Sequence, residues 1–493
     1  MDDQPRAERS PGLKLLFVAL LGIALAIPLV MTYALVYDRQ SQSQTAQAAI
    51  NAGWGGPQVI AGPVVVVPFR TTQSQTEEVN GKSVTKVVEV EKLLYISPTS
   101  NKVVTTIDPQ ERRKSIYRSV LYEAKVKGAA SFALPEDLPR FGVTRERLLW
   151  DRAELRMGAS DSRGLTSGGT LKVDGKDLTV QPGKGPAASG GQGFFAFLPW
   201  TGEGTLAVDY AFGLRGSRSL SLVPRGGSTG WEVDSKWASP SFGGSFLPEK
   251  PKVSGSGFAA RYLVDKLALG QAPVAMEDPG PPMIDEGGFL PPEAMAAKTS
   301  SASYDIAAEA PSSADNRAAG GAEEVIGGPA HAVTVGLIEP VNLYSKVERS
   351  VKYGFLFIGF TFLSFLLFDV IGGARVAIAE YLLTGAALVL FFVLLLAFAE
   401  VIGFTAAYLV ASAAIVGLLT AYSAAVLKSW KRSRFIGALL IGLYALLFVL
   451  LNLEAWSLLI GAVLLFVALA GVMYATRNVD WGAVGRREAA AEG

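Results

Sequence analysis

The sequence predicts a membrane protein of two parts: an α-helical membrane bundle of about six spans, one N-terminal and five C-terminal, and a large all-β, sandwich-like extracytoplasmic domain. Three observations predict it. Apolar residues concentrate near the two ends of the 493-residue chain. The middle of the chain alternates apolar and polar residues with the period of two typical of strands. Basic loops fall on one side of the apolar segments, which indicates the cytoplasmic side.

The first apolar segment, residues 13–36, is long enough to span a membrane. A spanning helix needs about 20 apolar residues to cross about 30 Å of hydrocarbon. Residues 1–12, which carry Arg6 and Arg9, are then a cytoplasmic N-terminus. A cleaved signal peptide is the alternative, but its apolar core usually has only about 7–15 residues. Cleavage would not move the large domain.

The C-terminal apolar region, residues 352–474, predicts a five-helix bundle with short connections, followed by a cytoplasmic tail over 475–493. The predicted spans are 352–371, 381–399, 401–427, 435–451 and 456–474. The loop between the third and fourth of these carries Lys428, Lys431, Arg432 and Arg434, whereas the loops around Glu400 and Asn452 carry no basic residue. This asymmetry predicts a multi-pass protein of the bacterial inner (cytoplasmic) membrane with both termini cytoplasmic and the large domain periplasmic.

Residues 37–271 predict the β-rich domain. In the clearest strand, Leu206, Val208, Tyr210, Phe212 and Leu214 alternate with small or polar residues. Glycine-rich and proline-rich breaks separate such runs, a pattern typical of antiparallel sheets packed as a sandwich.

Residues 272–330 predict a disordered acidic insert, because they hold ten acidic and two basic residues among many Pro, Gly, Ala and Ser. Such a segment buries too little apolar area to offset about 1–2 kcal/mol of ordering entropy per residue. It is a solvated linker or, alternatively, a partner-binding segment. Residues 331–351 predict a juxtamembrane segment before the second span.

The composition excludes several kinds of chemistry. The chain has no cysteine and a single histidine, His331. Disulfides, thiolate metal sites and multi-histidine zinc sites are therefore not expected. Lysine plus arginine (45) nearly equal aspartate plus glutamate (44), so charge does not indicate a nucleic-acid partner. We expect no cofactor, no metal and no catalytic residue.

Two other functions stay open on the sequence. A hydrolase of envelope polymers would have to use carboxylates, for which Asp161, Glu232 and Asp234 are the candidates. A transporter is compatible with six spans. Charged residues near the ends of the predicted spans, such as Asp369 and Glu400, do not indicate an ion path. Such a path needs ionisable groups near the middle of the membrane.

Several motifs along the chain resemble those of one protein family. They are GPQVIAGP around Gly62 and Pro63, the strand with Tyr117 and Tyr122, the turn Asp161-Ser162-Arg163-Gly164, the stretch SKWASPSFGG with Trp237, Pro240, Phe242 and Gly244, and the block with Pro340, Tyr344, Arg349, Lys352 and Tyr353, followed by Asp369. Together they resemble the CreD family of inner-membrane proteins, in which a histidine is usual where Ser239 stands here.

The resemblance implies an envelope-stress protein associated with cell-envelope integrity, and it implies no molecular activity. We therefore expect a non-enzymatic sensor, scaffold or protective factor. Its expected partners are the lipid bilayer and an envelope or membrane protein.

Overall fold

The computed structural model describes residues 11–79, 82–166, 168–283, 325–337, 343–370, 377–452 and 457–477. The chain divides into two units. One, the bundle unit, comprises Met1–Thr45 and Val341–Gly493, and the other, the β-rich unit, comprises Ala46–Pro340.

Eight α-helices lie in the described ranges. They are α1 (Pro11–Ala52), α2 (Lys266–Leu269), α3 (Leu343–Lys352), α4 (Gly354–Val370), α5 (Ile378–Ile402), α6 (Phe404–Val426), α7 (Trp430–Asn452) and α8 (Ser457–Thr476).

Nineteen strands belong to the β-rich unit as far as it is described. They are β1 (Gln58–Val79), β2 (Lys82–Ile96), β3 (Ser100–Lys114), β4 (Tyr117–Ala133), β5 (Glu154–Ala159), β6 (Thr170–Val173), β7 (Lys176–Asp177), β8 (Gln181–Pro182), β9 (Gly193–Phe197), β10 (Thr205–Ser217), β11 (Ser219–Val223), β12 (Ser228–Ser235), β13 (Pro240–Gly244), β14 (Glu249–Ser254), β15 (Gly257–Val264), β16 (Val274–Ala275), β17 (Glu277–Gly280), β18 (Val325–Pro329) and β19 (Val333–Leu337).

The strands form two large sheets and a small one. The first sheet has the order β13-β19-β11-β1-β5-β9-β8, with β2 and β16 branching from β1. The second has the order β14-β15-β12-β3-β4-β10-β6-β7. Most neighbours are antiparallel, but β1 pairs with β11 in parallel, and so does β3 with β12. Strands β17 and β18 form a separate parallel pair.

One hydrophobic core joins the two large sheets. Phe194 of the first sheet and Phe212 of the second meet edge to face with ring centroids 5.5 Å apart. The five apolar positions predicted to share one face of β10 are all buried, which confirms the period-two pattern in that strand. The β-rich character predicted for the middle of the chain is therefore confirmed, and its two large sheets share one core.

The predicted β-rich domain, 37–271, begins with helix rather than strand. Helix α1 continues to Ala52, and the first strand begins at Gln58. The helical extension carries polar side chains without apolar periodicity, so a hydropathy pattern does not reveal it. Local bonds support it: the Gln42 side-chain amide donates to the Asp38 carboxylate one turn earlier, at 2.9 Å.

Strands also continue past the predicted boundary at residue 271. Strands β16 and β17 follow it, and β18 and β19 lie within the segments predicted to be insert and juxtamembrane connector. β19 pairs with both β11 and β13, so it belongs to the first sheet. The rest of the predicted acidic insert, 284–324, lies outside the described residues.

The bundle unit is held by apolar faces at helical spacing. On α5, Leu388, Phe391, Phe392 and Leu395 are fully buried. They pack with α6, which neighbours α7 in turn. Small residues permit close approach, since Ala407 and Ala411 of α6 are also fully buried.

Four described helices are long and apolar enough to cross a membrane: α1 from Leu16, then α5, α6 and α7. The predicted six spans are therefore confirmed only as one N-terminal and three C-terminal helices. The predicted second span, 352–371, is interrupted by a turn at Tyr353, so α4 has 17 described residues.

Candidate functional site

Three of the predicted motif residues, Tyr122, Asp161 and Arg163, lie where α1 ends. They belong to a group that we call the junction cluster: Asn51, Trp54, Gln58, Tyr122, Asp161, Arg163 and Arg215. The last turn of α1 is fixed there. Ser119 of β4 donates a hydrogen bond to the Asn51 side chain at 2.7 Å, and both residues are buried. Arg163 Nη1 donates to the carbonyl of Ala52 at 3.4 Å, at the electronegative end of the helix.

The turn Asp161-Ser162-Arg163-Gly164 is organised by the Asp161 carboxylate. Arg163 donates to its two oxygens from Nε at 2.9 Å and from Nη2 at 2.8 Å, a bidentate pair. The backbone N–H groups of Arg163 and Gly56 donate to the same carboxylate at 3.1 and 3.3 Å. The carboxylate thus links the turn to the chain just after α1.

Gln58, which is 1% exposed, connects three segments through its side-chain amide. Its Nε2 donates to the carbonyls of Asp161 at 3.2 Å and of Arg215 at 2.9 Å, and its Oε1 accepts from the N–H of Asp161. The amide therefore satisfies backbone groups of β10 and of the turn that would otherwise be buried without partners.

Two arginines contact the ring of Trp54. The guanidinium carbons of Arg112 and Arg215 are 4.3 and 4.5 Å from its ring centroid, within cation–π range. The indole N–H donates to the carbonyl of Tyr122 at 3.2 Å, and the Tyr122 hydroxyl donates to the carbonyl of Ser219 at 2.8 Å. Burial raises the pKa of the Tyr122 hydroxyl, so it stays a neutral donor.

Two glycines allow this close packing. A Cβ at Gly164 would collide with the carbonyl oxygen of Arg215 and the Gln58 amide. A Cβ at Gly216 would collide with the ring and hydroxyl of Tyr122. The glycine of the turn motif thus leaves the space that Gln58 occupies.

The Asp161 carboxylate is ionised at neutral pH. Hydrogen bonds from the Arg163 side chain lower its pKa, and its partial burial opposes this shift less strongly. A carboxylate engaged in this way is poorly suited to act as a general acid or base, since its lone pairs are used by structural donors.

A second polar group lies within the bundle unit, around the amphipathic helix α3, and we call it the α3 cluster: Tyr33, Tyr344, Lys346, Glu348, Lys352, Glu400 and Asn452. The Tyr344 hydroxyl donates to Glu400 at the end of α5 at 3.2 Å. Lys346 Nζ donates to Asn452 at the end of α7 at 3.1 Å. Helix α3 therefore joins the ends of two apolar helices.

The opposite turn of α3 contacts α1. Glu348 accepts hydrogen bonds from Lys352 at 2.8 Å and from the Tyr33 hydroxyl at 3.1 Å. The hydrogen bond from Lys352 is the main reason that the pKa of Glu348 is lowered. Apolar residues Val347 and Val351 of α3 are buried beneath these contacts.

The remaining residues of the predicted block are placed near α3 or lie outside the described residues. Arg349 donates to the carbonyl of Ser345 within α3, and Tyr353 forms the turn before α4. Pro340 and the side chain of Asp369 lie outside the part of the chain that is described.

The early glycine–proline motif is at the centre of the first sheet. Gly62 precedes a cis peptide bond to Pro63, and its φ of +100° favours glycine. The register of β1 against β5 shifts between Ala61 and Val64, where the motif lies. Tyr117, by contrast, begins β4 and lies far along the β3–β4 hairpin at its turn.

The predicted stretch with Trp237 forms an edge of the first sheet. The Trp237 indole donates to the carbonyl of Ser239 at 3.1 Å and packs against the core. Phe242 meets Phe258 of the second sheet at 5.8 Å between centroids. Gly244 has a φ of +92°, and a Cβ there would collide with the carbonyl of Ala332.

The candidate carboxylates for catalysis do not form a dyad in a cleft. Glu232 and Asp234 share the solvent face of β12, where Arg261 approaches Glu232 at 3.8 Å and Thr106 donates to Asp234 at 3.1 Å. His331 lies 3.1 Å from the hydroxyl of Ser245, and both side chains are exposed. Among the described residues, no group of three His, Asp or Glu could hold a metal ion.

Sequence reasoning missed several residues of both clusters. Asn51, Trp54 and Gln58 precede or open the first strand, and their hydrogen-bond partners lie from 68 to 157 residues away. It also missed a buried ion pair of Arg225 with Asp278, in which the Asp278 carboxylate also accepts the N–H of Ala187 at 2.5 Å. Asp278 lies in the acidic segment predicted to be disordered, so the composition of that segment did not single out its carboxylate as a buried structural group.

Comparison with known proteins gives one match along nearly the whole chain. The family described as Inner membrane protein CreD matches residues 10–482. The Inner membrane protein CreD of Escherichia coli (strain K12) is 30% identical over 469 residues, which cover 93% of this chain and 91% of that protein.

Solved structures are similar over a smaller part. A mutant M1 zinc metallopeptidase from Deinococcus radiodurans matches 41% of this chain and 51% of its own, with 9% identity and a TM-score of 0.20. A second structure of that mutant, with a Tyr-Ser-Ala substrate, matches the same shares with 10% identity and a TM-score of 0.20. The chain thus spans about half the length of these peptidases.

Proposed function

The chain belongs to the CreD family of inner membrane proteins, and on this basis we propose that it is a non-enzymatic envelope-integrity protein. Its β-rich unit would lie in the periplasm and contact an envelope component. Its bundle unit would hold that contact at the membrane.

The observation that carries this proposal is that the residues of the Asp161–Gly164 turn motif make structural contacts. Arg163 donates to the carbonyl of Ala52 at the end of α1, and the Asp161 carboxylate accepts from Arg163 and from Gly56 just after that helix. Gly164 leaves the space that the Gln58 side chain occupies. A carboxylate occupied by four donors supports an anchoring role over catalysis. The motif then serves to fix the β-rich unit to the helix that carries it.

The proposed topology has six spans with both termini cytoplasmic. The basic residues Lys431 and Arg434 lie at the start of α7, while Glu400 and Asn452 lie at the opposite ends of their helices. Helix α3 bonds to those opposite ends, which supports its placement on the periplasmic surface.

The experiment is complementation of a deletion strain under envelope stress. We expect wild-type protein to restore survival, Arg163→Ala to restore it poorly at equal membrane abundance, and Glu232→Gln with Asp234→Asn to restore it fully. Arg163→Ala loses both the bidentate pair and the bond to α1. Full rescue by Arg163→Ala would contradict the anchoring role, and failure of the carboxylate variant would favour the hydrolase that acts through β12.

The proposed partner is an envelope or membrane protein. Photo-crosslinking in living cells, with a photoreactive amino acid placed at exposed positions of the β-rich unit, should trap the same partner repeatedly from one face. Crosslinks spread evenly over all faces would contradict a specific contact.

A further inference from the structure

The tip of the β3–β4 hairpin, residues 111–118, is strongly basic. It holds four basic residues and one acidic residue, Glu111, which gives it a net charge of +3. The basic residues are Arg112, Arg113, Lys114 and Arg118, and all of them are exposed. The guanidinium of Arg112 lies over the ring of Trp54, whereas the other three side chains form no ion pair with a described carboxylate.

Two of these arginines stand directly opposite each other, because Arg113 of β3 pairs with Arg118 of β4. Like charges at directly opposite positions repel each other and destabilise a hairpin. A carboxylate at either position would turn this repulsion into attraction. The hairpin therefore keeps its positive charge at a cost to its own stability, which indicates an anionic contact outside the hairpin.

An apolar side chain lies among these charges at the very end of the hairpin. Ser115 and Ile116 form the two-residue turn, and Ile116 is 41% exposed. Such turns usually hold Gly, Asn or Asp rather than a β-branched apolar residue. An apolar side chain flanked by cations suits a membrane interface, because it enters the boundary with the acyl chains while the cations stay among the phosphates.

Contacts with the end of α1 set the direction in which the hairpin points. Ser119 donates to the Asn51 side chain at 2.7 Å, and the carbonyl of Arg118 accepts from the Gln47 side chain at 3.0 Å. Moving along β4 toward the turn thus moves along α1 toward its N-terminal end. The turn at 115–116 lies two or three residues further in that direction.

The apolar segment 13–36 of α1 ends close to this point. Gln47 follows Val36, the last residue of that segment, by eleven residues within one helix. Eleven helical residues span about 16 Å, and the three strand residues from Arg118 to Ser115 cover about 10 Å. The difference, about 6 Å, is close to the thickness of one layer of lipid headgroups.

We propose that the tip of the β3–β4 hairpin binds anionic phospholipid headgroups of the membrane that α1 enters. Arg113, Lys114 and Arg118 contact the phosphates, and Ile116 enters the layer below them. Each basic residue near an anionic lipid surface strengthens such a contact about fivefold. An acidic protein surface could supply the same charge, but helix α1 holds the tip beside lipid at all times.

Fluorescence quenching tests the contact in the full chain, which has no native cysteine. Ile116→Cys carries an environment-sensitive fluorophore, and the nanodiscs contain lipid with a nitroxide on its headgroup. We expect strong quenching in phosphatidylglycerol discs and weak quenching in phosphatidylcholine discs. The control is Thr201→Cys, which is exposed outside the hairpin and should be quenched weakly and equally in both. Both faces of a disc carry the same lipid, so the result does not depend on the proposed topology.

Charge variants show whether the basic residues cause the contact. Arg113→Gln or Arg118→Gln should lower the ratio of bound to free tip about fivefold in phosphatidylglycerol discs, whereas Arg113→Lys should preserve it. Each glutamine variant also removes the repulsion between the two arginines, so an unchanged or higher melting temperature shows that the hairpin is intact.

Three results would overturn the proposal. Quenching at Ile116 could be equal in the two lipids, or both glutamine variants could leave it unchanged. Quenching could also be absent from the purified chain in phosphatidylglycerol discs while the fluorophore is shielded in native membranes, which would assign the tip to an acidic protein instead.

Discussion

At the scale of single residues, Asp161 is the centre of the junction cluster. Its carboxylate is only 16% exposed and accepts from Arg163 and from two backbone N–H groups. An asparagine there keeps one oxygen acceptor but loses the charge, and its NH2 group places a donor against the donors of Arg163 or Gly56. Leaving a donor without its acceptor usually costs about 1–3 kcal/mol when it is shielded from water.

We therefore expect Asp161→Asn to destabilise the β-rich unit by about 1–2 kcal/mol. The measurement is denaturant unfolding of the full chain in detergent, followed by tryptophan fluorescence, to which Trp54 contributes. Asp234→Asn, which changes an exposed carboxylate bonded to Thr106, should change stability by less than about 0.5 kcal/mol. Equal effects of the two substitutions would count against the anchoring role.

The same carboxylate makes stability depend on pH in a defined direction. The folded pKa of Asp161 is lowered, so its contribution is present above the ordinary pKa of about 3.9. That contribution is lost as the pH falls through the folded value. The difference in the free energy of unfolding between wild type and Asp161→Asn should thus keep its neutral-pH value from about pH 5 to 7. It should shrink below about pH 4. A difference that grows on acidification would refute this assignment.

Gly164 supplies a steric test at the same place. An added methyl group would collide with the Arg215 carbonyl, which is backbone and cannot rotate away. Gly164→Ala should therefore cost about 1–3 kcal/mol. Gly230→Ala is the matched control, since nothing lies within 4 Å of the corresponding position, and melting temperatures of both variants provide the comparison.

At the scale of elements, α3 connects three apolar helices through side chains at its two ends. Its hydrogen bond from Tyr344 to Glu400 reaches α5, and its contacts through Glu348 reach α1. A short amphipathic helix of this kind can hold the ends of a bundle together while keeping its charged face in water.

Tyr344→Phe removes the hydroxyl that bonds to Glu400 and should lower the stability of the bundle by about 0.5–1.5 kcal/mol. Thermal unfolding in detergent, read by helical circular dichroism, measures it. Tyr353→Phe changes a tyrosine in the adjacent turn that has no hydrogen bond from its hydroxyl within the described residues. A larger loss for Tyr353→Phe than for Tyr344→Phe would contradict the role given to α3.

Local pattern predicts some elements well and others not at all. The alternation in β10 follows from burial of one face, so the strand and its core face could be predicted. The polar end of α1 could not be predicted, because it lacks apolar periodicity. The membership of β19 in the first sheet could not be predicted either, because β19 pairs with β11, more than a hundred residues earlier in the chain. The turn at Asp161 was recognisable as a motif, but its contact with Gln58 is a product of tertiary structure.

At the scale of the whole molecule, the proposed topology predicts which surfaces reagents can reach. Thr201→Cys on the β-rich unit should react with a membrane-impermeant maleimide in intact spheroplasts, whereas Lys431→Cys at the start of α7 should react only after permeabilisation. The absence of native cysteine keeps the background low. The reverse pattern would invert the topology.

The order of strands in the first sheet determines when the β-rich unit can complete its folding. Its central strand β1 is made first, yet its parallel partner β11 comes about 160 residues later, and β19, which closes the far side of β11, comes later still. Such distant pairings are slow to form, because the chain must close long loops first. The first sheet of the β-rich unit therefore cannot be completed before residue 337 has been synthesised. We expect a chain truncated before β19 to be digested by a protease that the full chain resists.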